Sequence, residues 1–296
     1  VRLLSKTARQ RAEALLVRFV FALFGLLPVD AASAVGGAVG RWIGPRLKVS
    51  NVARRNLAQA FPDWDRAAIE ATLVRVWDNL GRVAAEFPHI DYLIANRLEI
   101  VGIENIHAMR DDGLPGLFFS AHFGNWELGT GAAGLQGLPL TLVYRAANNP
   151  WVEDIYRKGR TVSSQAGQIQ KGSDGAREIM TVLKGGGHIA MLVDQKMNDG
   201  IKVPFFGRDA MTASAVARFA LKFKCPVVPT KVERLRGAHF RLIVLPPMDL
   251  PDSGDAHADT LDIMTRINAI IEDWVRADPG RWLWLHKRWP DHTKSE

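Results

Sequence analysis

The spacing of apolar residues changes near residue 97, and the change divides the chain into two textures. From residue 46 to about 90 they recur at helical intervals. Ile69, Leu73, Val76, Trp77, Leu80 and Val83 fall three or four residues apart as one stripe, and Asp65 stands where it can cap that helix. Ahead of them, residues 14–27 form an apolar run broken only by Arg18 and closed by Pro28, and a stretch of small residues, 31–40, follows Asp30. Residues 1–90 therefore read as an all-helical N-terminal layer. Beyond Arg97, short apolar runs alternate with helical segments. Strands are expected at 98–101, 117–120, 140–144, 188–193, 227–231 and 240–245, and helices at 126–135, 151–164, 176–184, 213–224 and 258–276. This alternation predicts an α/β fold with a mixed, mainly parallel sheet flanked by helices. No internal repeat or low-complexity linker interrupts it.

Composition narrows the classes. Hydrophobic residues make up 47% and charged residues 23% of the 296 positions, close to globular averages, which excludes a disordered, collagen-like or polytopic membrane chain. The single cysteine, Cys225, excludes an intrachain disulfide; with eight scattered histidines and no His-Glu-x-x-His run, no metal site is expected. A formal charge of +7 points to a phosphate-bearing partner, either nucleic acid or an anionic lipid surface. Arg2, Lys6, Arg9 and Arg11 precede the run at 14–27, which is shorter than the roughly 20 apolar residues of a spanning helix. Membrane anchor helices over 1–45, lying in the interface or marginally spanning, are expected. A buried core helix is one alternative. A cleavable signal peptide is another, because Ala32-Ser33-Ala34 has the small-x-small form of a cleavage site.

The densest chemistry is Ser120-Ala121-His122-Phe123-Gly124-Asn125-Trp126-Glu127, directly after an expected strand. Loops at the carboxyl ends of strands are where ligands sit in α/β folds. Five residues on a continuous helix would rotate His122 and Glu127 apart by roughly 140°. They meet only if His122 lies in a loop that Gly124 permits and Glu127 in the first turn of a helix capped by Asn125. Glu127 is then expected to accept a hydrogen bond from one imidazole nitrogen, leaving the other to take a proton from a hydroxyl. The plainer reading is a satisfied loop histidine beside a solvated glutamate. Gly129-Thr130-Gly131-Ala132-Ala133-Gly134 matches a dinucleotide-binding pattern, but it begins nine residues after the strand and is expected inside a helix, where small residues serve close packing. No Gly-x-Ser-x-Gly elbow or phosphate-loop Gly-Lys-Ser/Thr is present.

Basic and acidic groups recur near other strand ends: Arg145 after Tyr144, Arg160 on a helix, Asp194-Gln195-Lys196, and Arg208 after Phe205-Phe206-Gly207. Singly each reads as a solvated charge; converging on one sheet edge they would form an anion site. Near the C-terminus, Arg281-Trp282-Leu283-Trp284-Leu285-His286-Lys287-Arg288-Trp289 interleaves tryptophan with basic residues. It is open to three readings: base stacking, a lipid interface, or packing of the aromatics onto the domain edge.

These blocks together resemble the lipid A late acyltransferase family, the lauroyl and myristoyl transferases of Gram-negative outer-membrane lipid synthesis. The resemblance runs through Arg54-Arg55-Asn56-Leu57, Phe61-Pro62, the His-x4-Glu pair His122 and Glu127, Tyr144-Arg145, Asn148-Asn149-Pro150, Arg160, Asp194-Gln195, Phe205-Phe206-Gly207 and the tryptophan-rich end. Ala146 departs from the proline common after Tyr-Arg. The resemblance implies a glycerolipid-acyltransferase-like core over 46–296, helical to 96 and α/β from 97. It also implies acyl transfer from an acyl-carrier-protein thioester, with no cofactor, to a hydroxyl of a Kdo-bearing lipid A precursor at the cytoplasmic face of the inner membrane. His122 and Glu127 would be catalytic, and Arg145, Arg160, Asp194, Gln195 and Arg208 would contact substrate. Arg160 would meet phosphate and Asp194 fix a neighbouring base. Partners would be the acyl carrier protein, the glycolipid and an anionic membrane rather than nucleic acid. Acylation of another glycolipid, such as a phosphatidylinositol mannoside, is the alternative within the same chemistry.

Overall fold

The computed structural model describes residues 6–160 and 166–289. Arg2 and the end of the helix expected over 151–164 lie outside them. Five helices open the chain: α1 (Lys6–Gly25), α2 (Val29–Ile43), α3 (Ser50–Ala60), α4 (Arg66–Glu86) and α5 (Ile90–Asn96). Asp65 caps α4 by accepting from the Ala68 amide at 2.8 Å. The stripe at Leu73, Val76 and Val83 is buried. α2 lies against α4 at unusually short range, because Gly36 and Gly40 of α2 face Gly81. A Cβ on any of the three would run into a backbone carbonyl of the other helix. Ala32 and Ser33 are buried in this crossing, so the small-x-small triplet sits inside a packed helix. α1 keeps most of its apolar surface outside: Leu15, Leu16, Phe19 and Leu23 are exposed, as is Trp42 of α2. Among the described residues no helix is long and apolar enough to cross a membrane.

The α/β part follows as β1 (Leu98–Val101), α6 (Ile103–Asp111), β2 (Gly116–Ser120), α7 (Gly129–Leu135), β3 (Leu140–Tyr144), α8 (Pro150–Arg160), β4 (Gln168–Gln170), α9 (Ser173–Lys184) and β5 (His188–Leu192). Then come β6 (Lys196–Phe205), β7 (Arg208–Thr212), α10 (Ala215–Phe223), β8 (Val227–Arg234), β9 (Phe240–Val244) and α11 (Ala256–Ala277). Seven strands form one sheet in the order β1-β9-β8-β2-β5-β3-β4, parallel throughout except at β8 and β9. Alternate residues of the central strands face opposite layers. Leu117, Phe119, Ile189 and Met191 pack with α9, α10 and α11, while Phe118 and Ala190 pack with α5, α6 and α7. The six expected strands are all present, and β2 and β5, buried on both faces, are the ones that read as near-continuous apolar runs.

Three strands lie outside the expected set. β4 is a three-residue edge strand with only Ile169 buried. β6 and β7 form a separate antiparallel hairpin, broken by an irregularity between Lys196 and Ile201, and β6 contains Gly200 and Pro204. Neither has the alternation that marks a strand in sequence. The glycine pattern at 129–134 lies within α7, with Gly131, Ala132 and Ala133 buried. Trp282, Trp284 and Trp289 are also buried, packed against Phe205 and Phe206, and offer no surface for bases. Arg288 is buried with them over the Phe205 ring, bonded to Thr212 Oγ1 at 2.9 Å, and burial pushes its pKa down to about 10.

Candidate active site

β2 and β5 are parallel neighbours in which Ser120 stands opposite Leu192. His122 and Asp194 each lie two residues beyond those ends, so the strand register carries both to the same place. The Asp194 carboxylate accepts from the His122 backbone amide at 2.8 Å and the Trp282 indole at 2.7 Å, and its other oxygen lies 2.8 Å from His122 Nδ1. Burial alone would raise the Asp194 pKa. The charge of His122 and these three N–H groups outweigh burial and hold the carboxyl well below the usual range. An ionised carboxylate only accepts, so Nδ1 carries a proton, and in the neutral form of the ring Nε2 is the nitrogen with the lone pair. The Gln195 amide nitrogen lies 3.3 Å from that Nε2 and 3.1 Å from His286 Nε2, and donates to both. The His286 pKa is lowered, first by partial removal from water and then by the charge of His122. A neutral His286 is thus the form that can accept from Gln195.

Here the structure departs from the expected geometry. Glu127 does not orient the His122 ring. It lies in a 3-10 turn, Trp126–Leu128, and pairs in bidentate fashion with Arg160, Nε to Oε2 at 2.8 Å and Nη2 to Oε1 at 2.7 Å. The Trp126 indole also donates to Glu127, at 3.2 Å. Burial would lower the Arg160 pKa, but the hydrogen bonds and charge of Glu127 outweigh it and raise it. The guanidinium lies over the rings of Tyr144 and Tyr156. Asn125 does not cap the turn with its side chain either; it points inward, and its Nδ2 donates to Glu86 at 2.8 Å.

His122, Glu127, Arg145, Arg160, Gln195 and His286 meet at the mouth of a cavity of about 250 Å³. Its depth is apolar, formed by Phe118, Leu140, Leu142, Val232, Leu242 and Val244 between the sheet and α6 and α7. Asp194 sits beneath His122 rather than in the wall, so it reaches the cavity through the imidazole. Arg208 is not part of the lining. It stands on β7, and its Nε donates to the Gln59 carbonyl at 3.1 Å. Lys171, which follows β4 beside β3, does line the mouth; the polar edge strand that precedes it has no signature in sequence. His286 was visible only as part of the tryptophan-rich block. Asn56 fixes it from α3 by donating to the carbonyls of Trp284 at 2.8 Å and His286 at 2.6 Å. Among the described residues no cluster of His, Cys, Asp and Glu is arranged to hold a metal ion.

Chemically, the arrangement is a histidine oriented through Nδ1 by a buried carboxylate, with Nε2 facing Gln195 at the mouth of an apolar cavity and beside a cationic rim. The comparisons with known proteins agree with one another. The family model for bacterial lipid A biosynthesis acyltransferases matches residues 5–291. A lipid A biosynthesis palmitoleoyltransferase of Escherichia coli (strain K12) is 25% identical over 281 residues, covering 91% of this chain and 88% of that protein. A lipid A biosynthesis acyltransferase of Haemophilus influenzae (strain Rd) is 23% identical over 283 residues, covering 90% and 84%.

Proposed function

The chain belongs to the bacterial lipid A biosynthesis acyltransferase family, and from that premise we propose that it moves a fatty acyl chain from an acyl-carrier-protein thioester to a hydroxyl of a lipid A precursor, with His122 as general base. The observation that carries this reading is the His122–Asp194 pair, whose Nε2, bonded only to the side chain of Gln195 among the described residues, stands at the mouth of an apolar cavity. The acyl chain of the donor occupies that cavity, which brings the thioester carbonyl to its mouth. Nε2 removes the proton of the acceptor hydroxyl as its oxygen attacks the carbonyl carbon. Asp194 stabilises the imidazolium that forms. As the tetrahedral adduct collapses, the C–S bond breaks and the imidazolium returns its proton to the departing thiolate, leaving an ester and no covalent enzyme intermediate. Arg160 and Glu127 form the adjoining wall. Arg145 contributes positive charge to the rim, where the phosphates of the glycolipid approach.

The exposed apolar residues of α1 and α2, with Arg9, Arg11 and Arg18 among them, support an interfacial position on the anionic cytoplasmic leaflet of the inner membrane. A nucleic-acid reading loses its main feature, since the three tryptophans are buried.

The test is acyl transfer in vitro with acyl-carrier-protein donors of several chain lengths and a Kdo-lipid A precursor. The wild type is expected to add one secondary acyl chain, and His122→Ala to lose at least about 10²- to 10⁴-fold in kcat with its thermal unfolding unchanged. Near-normal transfer by His122→Ala would overturn the mechanism. Transfer to a phosphatidylinositol mannoside but not to the lipid A precursor would overturn the substrate.

A further inference from the structure

The turn that separates His122 from Glu127 is held from outside the sheet. Glu86, the last residue of α4, is fully buried, and its carboxylate gathers three elements. Arg234 of β8 pairs with both oxygens, with Nη2 at 2.8 Å from Oε2. Asn125 Nδ2 donates to Oε2 at 2.8 Å, and Ser33 Oγ of α2 donates to Oε1 at 2.6 Å. The Ser33 hydroxyl in turn accepts from Arg82 Nη1 at 3.1 Å, and Arg82 pairs with Asp78 at 2.8 Å. These bonds run along the glycine-to-glycine crossing of α2 and α4, where there is little room to slide. α4 grips the same turn a second time, because Asn79 Nδ2 donates to the Gly124 carbonyl at 2.9 Å. Gly124 itself turns with φ +60°, a conformation that favours glycine.

Asn125 is buried and makes this bond while its own Oδ1 has no donor among the described residues. Stability alone does not favour a buried amide with one end unpaired. What the residue does accomplish is to tie the turn to Glu86.

We propose that Glu86 is a positioning residue for the reaction: through Asn125 it fixes the turn between His122 and Glu127, and through Ser33 it makes the setting of that turn depend on the packing of α2. The N-terminal helices are then part of the catalytic apparatus as well as a layer on its outside. The inference rests on the acyl-transfer reading for its kinetic test and on geometry alone for its second test.

Replacing Glu86 would strand Arg234 in the core, so the experiment uses its two lighter partners. Asn125→Ala is expected to lower kcat by about 10- to 100-fold with KM within about threefold of wild type, as for a displaced catalytic group. Ser33→Ala is expected to lower kcat by about three- to tenfold in the same manner. Because both act through one carboxylate, the double variant should fall no more than about twofold below Asn125→Ala. Independent multiplication of the two effects, or a lowered Tm with kcat unchanged, overturns the proposal. In a substrate-free arm, hydrogen exchange at the amides of residues 125–128 should quicken by about tenfold in full-length Ser33→Ala. Unchanged exchange there also overturns it. If the wild type transfers no acyl chain yet exchange responds, the coupling stands and the acyl-transfer reading fails.

Discussion

Asp194 does for the imidazole what the spacing of His122 and Glu127 suggested that Glu127 would do. The substitution Asp194→Asn keeps an acceptor for Nδ1–H but removes the charge that, in the proposed mechanism, stabilises the imidazolium, so kcat should fall by about 10²- to 10⁴-fold in the acyl-transfer assay. A full-rate Asp194→Asn enzyme would exclude this role. The same residue predicts a pH dependence of stability. Its folded pKa lies below the unfolded value of about 3.9, so below that pH the unfolded chain takes up a proton that the folded chain refuses. The stability it contributes is therefore present above about pH 4 and is lost as pH falls from there through the depressed folded value. Thermal unfolding of Asp194→Asn measured across that acid window should depend less steeply on pH than that of the wild type. Glu127 has a different signature. Glu127→Ala leaves Arg160 without its carboxylate in a site where neither side chain is more than 17% exposed, and should cost up to about 3 kcal/mol by denaturant unfolding. His122→Ala leaves no such cation behind.

Among the elements, α4 connects most of the molecule. It carries the apolar stripe that buries Leu73 and Val76 in the main core, the glycine face that receives α2, and at its end the Glu86 carboxylate. Gly40→Val would press a branched side chain onto the Trp77 carbonyl and should destabilise the protein by at least about 1–3 kcal/mol, read as a lower Tm. α1 reaches the site by a second route. Phe21 stacks on Phe87 and meets Tyr156 of α8, and α8 carries Arg160, the partner of Glu127. The stripe of α4 and the buried strands were legible because a 3.6-residue period and a run of apolar residues are local signals. The β6–β7 hairpin was not. Its Gly200, Pro204 and charged positions read as loop, and what makes it a strand pair is packing against α11, where Asn268 donates to the Pro204 carbonyl at 3.0 Å.

For the whole molecule, the excess of positive charge now has distinct settings. Arg234 and Arg288 are buried in the fold, Arg160 is committed to Glu127, Arg145 stands at the cavity mouth, and Arg9, Arg11 and Arg18 border an apolar face. That face should bind anionic phospholipid vesicles. Leu16→Glu combined with Phe19→Glu, both exposed, should weaken binding by at least about tenfold without altering Tm, and unchanged flotation with vesicles would refute the interfacial position. The amino-acid order by itself determined the helical first third, the central strands, the cap of α4 and the presence of His122 and Asp194 just past strand ends, because each follows from neighbours within a few residues. Which carboxylate meets the imidazole was decided only by the fold. His122 and Glu127 are five residues apart and separated by a turn, whereas Asp194 is 72 residues away yet adjacent, because β2 and β5 pair in parallel with Ser120 opposite Leu192. Sequence lists the strands, but strand order and register arise from how two apolar faces are covered at once.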